Sequence, residues 1–367
     1  MADSVIEKSK GKFAKLPISE QIEVAKAWSR RAEALNFMDD REAGLQSRIK
    51  AYKIVNEILK VDPKNEEALL LDASLTSSIA YQCTLRKLTK PKFDKLEDFA
   101  RAESKFKTLL NQTSTETLKI RAITDFAHGL GQWGFCLLLK SDYGLKNPDV
   151  FKDALSKYLA AENLCKDGQQ QTNSKDSRLL ATRVANLRDL AAAQAKAIHV
   201  DFANSRKYVV TAAQSNDDVP RKTFDDAFLA LGNLENWTAQ RDRDRWIRTK
   251  ANLTITREQN LHNPIVEAKT ACTETVTSLD KLLERPTENA NFECFLLKAR
   301  AYETCGWIAY KVLSYDEAIK YYQQAIDTYD ASQTEFPDIK IAIKFRAKDS
   351  HSLKFIARKK TEQKESH

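Results

Sequence analysis

Residues 299–332 decide how this chain is interpreted; they read ARAYETCGWIAYKVLSYDEAIKYYQQAIDTYDAS. Small and apolar residues recur every three or four positions, which predicts two amphipathic helices separated by a turn near Leu313. One helix approaches another closely only where a side chain is missing or very small, so Gly306 and Ala318 predict a tight contact. Tyr302 and Tyr322 are predicted to fill the space beside that contact.

A similar pattern recurs earlier in the chain. Three alanines, Ala51, Ala102 and Ala154, lie 51 and 52 residues apart in stretches with helical periodicity. The last two are each followed four residues later by an aromatic residue, Phe106 and Tyr158. Spacing this regular predicts several copies of one structural unit.

This spacing resembles the tetratricopeptide repeat, a family built from antiparallel helix pairs. In the last pair the matching positions are Tyr302, Cys305, Gly306, Ala318, Tyr322 and Ala325. In the earlier pairs they are Ala51, Pro63, Ala102, Phe106, Ala154 and Tyr158. Ala309 stands where the family has an aromatic residue, and Asp330 stands where it has a closing proline. The period exceeds the family's usual length of about 34 residues, so the resemblance is to a degenerate form with longer helices or turns.

Composition agrees with a helical protein. The 367 residues include only 9 Gly and 8 Pro, and 30% are charged. Few helix breakers among many strong helix formers predict an all-α chain. The hydrophobic fraction of 42% excludes a wholly disordered chain.

Changes in composition along the chain predict five segments. Residues 1–12 are predicted to be a flexible tail, and residues 13–165 the first half of a repeat array. Residues 166–177, which read KDGQQQTNSKDS, form the most polar stretch and are predicted to be a linker. Residues 178–337 are then the second half, and residues 338–367 a basic capping helix and tail, because a terminal repeat needs a partly polar cap.

The expected compartment is the cytoplasm. No segment approaches the ~20 apolar residues that a membrane helix needs, and the first residues show no secretion signal. The six cysteines are scattered and form no Cys-x-x-Cys pair, which favours reduced core residues over disulfides.

The sequence predicts no catalytic residue, no cofactor site and no metal site. None of the five histidines has metal-ligand spacing to another histidine or to a cysteine. Residues 129–134, GLGQWG, lack the Gly-Lys-Ser/Thr ending of a phosphate loop and lie in a helical pattern. We therefore interpret the three glycines as close packing positions and His128 as a packed or capping residue.

Two basic stretches are candidate binding patches. In residues 241–250, Arg241, Arg245 and Arg248 share one helix face beside Trp246, although a solvated face with internal ion pairs is the plainer interpretation. From residue 340 to the end there are nine Lys or Arg and three Asp or Glu, a net charge of +6 out of +8 for the chain. The cations assigned to this cationic end are Lys354, Arg358, Lys359 and Lys360.

We therefore predict an all-α superhelical array, an α-solenoid, of about six or seven antiparallel helix hairpins. The resemblance implies a non-enzymatic scaffold or adaptor that binds a peptide or helix of another protein on a concave surface. Two alternatives stay open. One is a nucleic-acid-associated protein that uses residues 241–250 and the basic tail, which salt-dependent RNA or DNA binding would favour. The other is a helical enzyme without a recognisable motif, which a deep pocket with converging acids would favour.

Overall fold

The fold is known from a computed structural model of the chain. It describes residues 4–6, 13–86, 96–113, 115–142, 146–172, 176–205, 218–233, 235, 237, 239–261, 263–284 and 291–365. These residues form α-helices, a short 3-10 turn at Phe13–Lys15 and connecting turns, with no strand among them. The predicted all-α class is thereby confirmed. The predicted tail, residues 1–12, lies mostly outside the described residues.

The helices divide between two compact units, residues Met1–Ala193 and Gln194–His367. In the first unit they are α1 (Ile18–Phe37), α2 (Arg41–Val61), α3 (Glu66–Arg86), α4 (Glu97–Gln112), α5 (Glu116–Lys140), α6 (Pro148–Thr172) and most of α7 (Ser177–Ser205). In the second they are α8 (Asp218–Leu231), α9 (Gln240–Asn260), α10 (Ile265–Leu283), α11 (Asn291–Lys311), α12 (Tyr315–Glu335) and α13 (Ile341–Glu365).

Each unit has the two-layer packing of a helical solenoid. From α1 to α6 in the first unit, and from α8 to α13 in the second, each helix packs on the next one along the chain, and odd-numbered helices also pack on each other, α1 on α3, α3 on α5, α9 on α11 and α11 on α13. Even-numbered helices make the second layer. There Lys157 of α6 bonds Glu103 of α4 at 3.1 Å, and Lys105 of α4 lies 5.5 Å from the ring centre of Tyr52 on α2.

Side-chain bonds between equivalent helices reveal the repeat length directly. In the first unit, bonds between α3 and α5 and between α4 and α6 join residues 51 to 54 positions apart, as in Ser74 with Asp125 and Glu67 with Arg121. In the second unit, such bonds join residues 45 to 48 positions apart, as in Gln259 with Thr304. A constant separation means that equivalent helices run parallel and in register. The predicted 51–52-residue spacing of alanines is the period of the first unit.

Small residues lie where helices approach most closely. Ala51, Ala102 and Ala154 are almost completely buried on α2, α4 and α6. A Cβ atom at Gly134 of α5 would lie 3.0 Å from the Tyr158 ring and 3.1 Å from the Ala154 carbonyl oxygen of α6. Gly129, Gly131 and Gly134 all lie within the helix, so the packing interpretation of this segment holds, although their neighbours are Ser77, Asn186 and Tyr158.

The last hairpin, α11 and α12, has the same construction. A Cβ atom at Gly306 would lie 2.8 Å from the Tyr322 ring and 3.4 Å from the Ala318 carbonyl oxygen. The turn between the helices is closed by Leu313, whose φ of 58° is in the left-handed region, and by a bond from the Ser314 amide to the Ala309 carbonyl. The structure thus places the quoted stretch as two helices that touch at Gly306.

One prediction about local structure differs from the structure. Residues 166–172 of the predicted linker are the last turns of α6, and residues 173–175 lie outside the described residues. Asp218 and Pro220 form the first turn of α8, where the backbone nitrogen of a proline has no hydrogen-bond partner to lose. On α13, Ile343 is 51% exposed, whereas Ile356 is buried.

Other features agree with the expected core. All six cysteines are buried and form no disulfide. Within the described residues, no helix is both long enough and apolar enough to span a membrane. The cytoplasmic location stays a prediction.

Candidate binding surface

One face of α5 carries a row of polar and aromatic side chains. Arg121, Asp125, His128, Gln132 and Phe135 follow each other at intervals of three or four residues, so they share one side of the helix. Their side chains are half-buried or exposed, whereas the opposite side of α5 contributes the main core of the first unit. We call the side of α1, α3 and α5 that includes this row the odd-helix face.

Ion pairs join three helices at one end of the odd-helix face. Glu67 of α3 accepts hydrogen bonds from Arg121 of α5, one of them at 3.2 Å, and lies 3.5 Å from Lys26 Nζ of α1. Burial raises the pKa of Glu67, but Arg121 and Lys26 outweigh it and hold the pKa below its ordinary value. The carboxylate therefore stays ionised and fixes the three helices relative to each other.

The middle of the face is polar and partly desolvated. Ser74 of α3 donates a hydrogen bond to Asp125 Oδ2 at 2.7 Å, and Gln132 Nε2 lies 2.9 Å from His128 Nε2. Burial among neighbouring helices raises the pKa of Asp125, although the Ser74 hydrogen bond opposes the shift. Burial also lowers the pKa of His128, which favours a neutral imidazole. The His128 side chain nevertheless remains accessible to solvent and contacts Gln132, so it is not a core residue; it was predicted to be a packed or capping residue.

The other end of the face is aromatic and apolar. The rings of Tyr81 on α3 and Phe135 on α5 lie 6.5 Å apart between centres, and both are half-buried. Leu139, one turn further along α5, is 42% exposed. The face therefore changes from ionic to aromatic along α3 and α5.

Two adjoining cavities lie among α8, α9 and α10 of the second unit, with volumes of about 260 and 540 Å³. Both are lined by Phe228, Trp246 and Lys250. Lys250 Nζ lies 5.0 Å from the Trp246 ring centre, and Arg257 lies 4.9 Å from that of Phe228. At this concave site two cations therefore lie over two aromatic rings.

The structure separates the predicted arginine patch. Arg241 is exposed, but Arg245 pairs with Asp242 at 3.2 Å and Arg248 pairs with Glu293 of α11 at 3.2 Å. Their charges are largely neutralised within the protein, and the cavity is lined instead by Trp246 and Lys250. As a binding patch the three arginines remain a prediction.

The cationic end is also partly paired. Lys354 and Arg358 are exposed, whereas Lys359 bonds Glu362 at 2.7 Å and Lys360 bonds Asp316 of α12. Among the described residues, no group of three His, Cys, Asp or Glu side chains could hold a metal ion.

Deletion of residues 358–367 is expected to lower the melting temperature by less than about 3 °C, because exposed ion pairs contribute little stability. It should weaken any salt-sensitive binding to an acidic partner, as a binding titration at low and high salt would measure. Deletion of residues 339–367 is the contrasting variant, since it also removes Ile356 from the core and should lower the melting temperature clearly. A large loss of stability from the short deletion would contradict a purely cationic role.

Sequence analysis missed the odd-helix face. The signal was a polar row at intervals of three and four residues on α5, a helix whose other residues are mostly apolar. Its partners on α1 and α3 were not recognisable, because Lys26 and Arg121 meet Glu67 only in the folded chain.

Comparison with known proteins finds distant structural similarity alone. Neither a family model nor a curated protein sequence matches the chain. The solved structure of Nro1, a hypoxic regulator of sterol synthesis described as a nuclear import adaptor, has 12% sequence identity and a TM-score of 0.44, covering 91% of this chain and 94% of that one. The crystal structure of yeast Tom70 has 13% identity and a TM-score of 0.13, covering 98% and 99%.

Proposed function

We propose that this protein is a non-enzymatic scaffold that binds a peptide or helix of another protein along the odd-helix face of the first unit. The observation that carries the proposal is the row from Arg121 to Phe135, which is accessible to a partner and yet fixed by bonds to α3. A surface held rigid before binding loses little conformational freedom when a partner arrives, which favours affinity.

The acidic and apolar side chains of the odd-helix face suggest which side chains a partner segment would carry. Asp125 is ionisable but partly desolvated, and its raised pKa shows that its charge is poorly compensated. A lysine or arginine of a partner would compensate that charge. Phe135 and Leu139 would take an apolar side chain further along. We therefore propose a partner segment that carries a basic residue about three helical turns from an apolar one.

The proposal is tested by site-specific cross-linking. A photo-reactive amino acid replaces Gln132 on the odd-helix face, or Ser156, which is exposed on α6 in the other layer. The partner should cross-link from position 132 in extracts of the source cell and not from position 156. Equal cross-linking from both positions, or from neither, would contradict the proposal.

A pair of leucine variants then measures the contribution of the apolar end. Leu139→Lys on the odd-helix face should weaken binding of the cross-linked partner by roughly tenfold or more, because an apolar contact is lost and a charge is partly desolvated. Leu159→Lys on α6 is the matched control, since Leu159 is 48% exposed and Leu139 42%. Titration calorimetry measures the affinity of each variant for the partner. Equal affinities would rule out the odd-helix face as the binding surface.

A further inference from the structure

The last helix is attached by an unusually polar seam. Ala342, Asp349 and Ile356 are the buried residues of α13, and their spacing of seven places them on one side of the helix. Ala342 packs beside Ala299 and Tyr329, and Ile356 packs beside Ala309 and Ala318. An acidic residue therefore occupies the centre of the seam, between its two apolar contacts.

Asp349 has no hydrogen-bond donor within the described part of the chain. Its side chain is completely buried, and both carboxyl oxygens lack a donor. A second carboxyl group, that of Glu303 on α11, is close enough to raise the pKa of Asp349. The Tyr329 hydroxyl donates to Glu303 Oε1 at 2.5 Å, and Lys348 Nζ lies 3.7 Å from Glu303 Oε2. A carboxyl group that is buried without a donor, beside a second carboxyl group, is stabilised in its neutral form, so attachment of α13 favours a protonated Asp349.

The other ionisable groups near Asp349 do not remove the need for a proton on its carboxyl group. They are Glu303 from α11, Tyr322 and Tyr329 from α12, and Lys348 from α13 itself, whereas Arg300 of α11 acts on Tyr329. Burial, and then the charge and hydrogen bond of Glu303, raise the pKa of Asp349 from 3.8 to about 8, although Lys348 opposes the shift. Burial raises the pKa of Tyr329 as well, so that residue remains a donor to Glu303.

We propose that α13 is a detachable helix that stays attached while the buried, donor-less carboxyl group of Asp349 is protonated, and that the surface beneath it binds an amphipathic partner helix with a lysine or arginine opposite Glu303. This surface is formed by Ala299, Ala309, Tyr310, Ala318, Tyr322 and Tyr329. A basic residue at the position of Asp349 would neutralise Glu303 without taking up a proton. The site belongs to the second unit and does not depend on the odd-helix face.

The direction of the pH dependence follows from linkage. When α13 is detached, Asp349 is in water and has its ordinary pKa, so attachment takes up a proton at any pH between about 4 and 8. Attachment is strongest below about pH 4 and weakens by up to tenfold per pH unit as the pH rises. Above about pH 8 the helix has lost the whole contribution of the proton.

Apart from Phe345, whose ring stacks on Tyr329 with centres 6.0 Å apart, many of the side-chain contacts of α13 lie at the surface. Arg346 pairs with Asp330 and Lys360 with Asp316, and most of these side chains are substantially exposed. Exposed pairs of this kind contribute little. Phe355 contacts Tyr310 but is 47% exposed, so its ring loses little contact with water on attachment.

Hydrogen exchange on the full chain tests the release. Amides of α13 are followed from pH 5.5 to 8.5, with correction for the intrinsic exchange rate, in the wild type, in Asp349→Asn and in the exposed control Asp338→Asn. In the wild type and the control, the opening of α13 should increase by tenfold or more over this range. In Asp349→Asn it should stay constant and be at least tenfold smaller than in the wild type at pH 8. If the opening of α13 in the wild type did not change with pH, the proposal would be overturned. The same holds if α13 opened more in Asp349→Asn than in the wild type at pH 8.

A competing peptide tests the partner chemistry. Labelled peptides of residues 338–365, native or carrying Asp349→Lys, are added to the full chain at pH 8. The lysine peptide should bind at least tenfold more tightly than the native one and should increase exchange in the protein's own α13. With a Glu303→Gln chain this preference should disappear. Equal binding of the two peptides, or binding of neither, would show that no such helix site exists.

Discussion

Phe106→Ala is expected to lower the free energy of unfolding by about 3–5 kcal/mol, the usual loss when a buried aromatic side chain is removed from a tight core. Phe106 of α4 is almost completely buried, and its ring stacks on Phe126 of α5 with centres 5.1 Å apart and planes 13° apart. The helices around it are held by bonds to both neighbouring repeats, so they cannot collapse into the space that the ring leaves. Urea denaturation followed by circular dichroism measures the change.

Two further variants make this expectation specific. Phe106→Leu keeps most of the volume and should cost less than about 1.5 kcal/mol. Phe355→Ala removes the same side chain from a position that is 47% exposed, and should cost under about 1 kcal/mol. If Phe106→Ala and Phe355→Ala destabilised the protein equally, the first unit would not have the core described above.

Ala318→Leu is expected to destabilise the protein by about 1–3 kcal/mol through overpacking. Ala318 of α12 is completely buried and packs with Ala309 of α11 and Ile356 of α13. Its carbonyl oxygen lies 3.4 Å from the position of a Cβ atom on Gly306, so the backbones of α11 and α12 are already close. Three additional carbon atoms must therefore push α12 away from α11 or displace α13. Thermal unfolding measures the loss.

The matched variant for this test is Ala331→Leu, which makes the same change at an exposed position of the same helix. It should leave the melting temperature nearly unchanged, because leucine favours a helix almost as well as alanine. If the Ala318→Leu and Ala331→Leu proteins had the same melting temperature, α11 and α12 would not pack as the structure shows.

Several elements were predictable from local patterns. The bounds of α10, Ile265–Leu283, coincide with the prediction, because His262-Asn263-Pro264 and Pro286 flank a continuous helical pattern. Ala51, Ala102 and Ala154 revealed the period of the first unit, because only small residues fit where its layers touch. Between residues 178 and 285 the register was not recognisable, since the period of the second unit is shorter, at 45 to 48 residues.

The sequence by itself therefore determined the helices and their pairing into hairpins, since both depend on periodicity and on small residues within one stretch of chain. Only the tertiary structure decided the binding surfaces. Glu67 and Arg121 are 54 residues apart and become neighbours through the stacking of two repeats. Asp349 lies on a basic helix, and α11 and α12 bury it near Glu303. The charge state of a carboxyl group depends on what surrounds it in space, and local sequence does not contain that information.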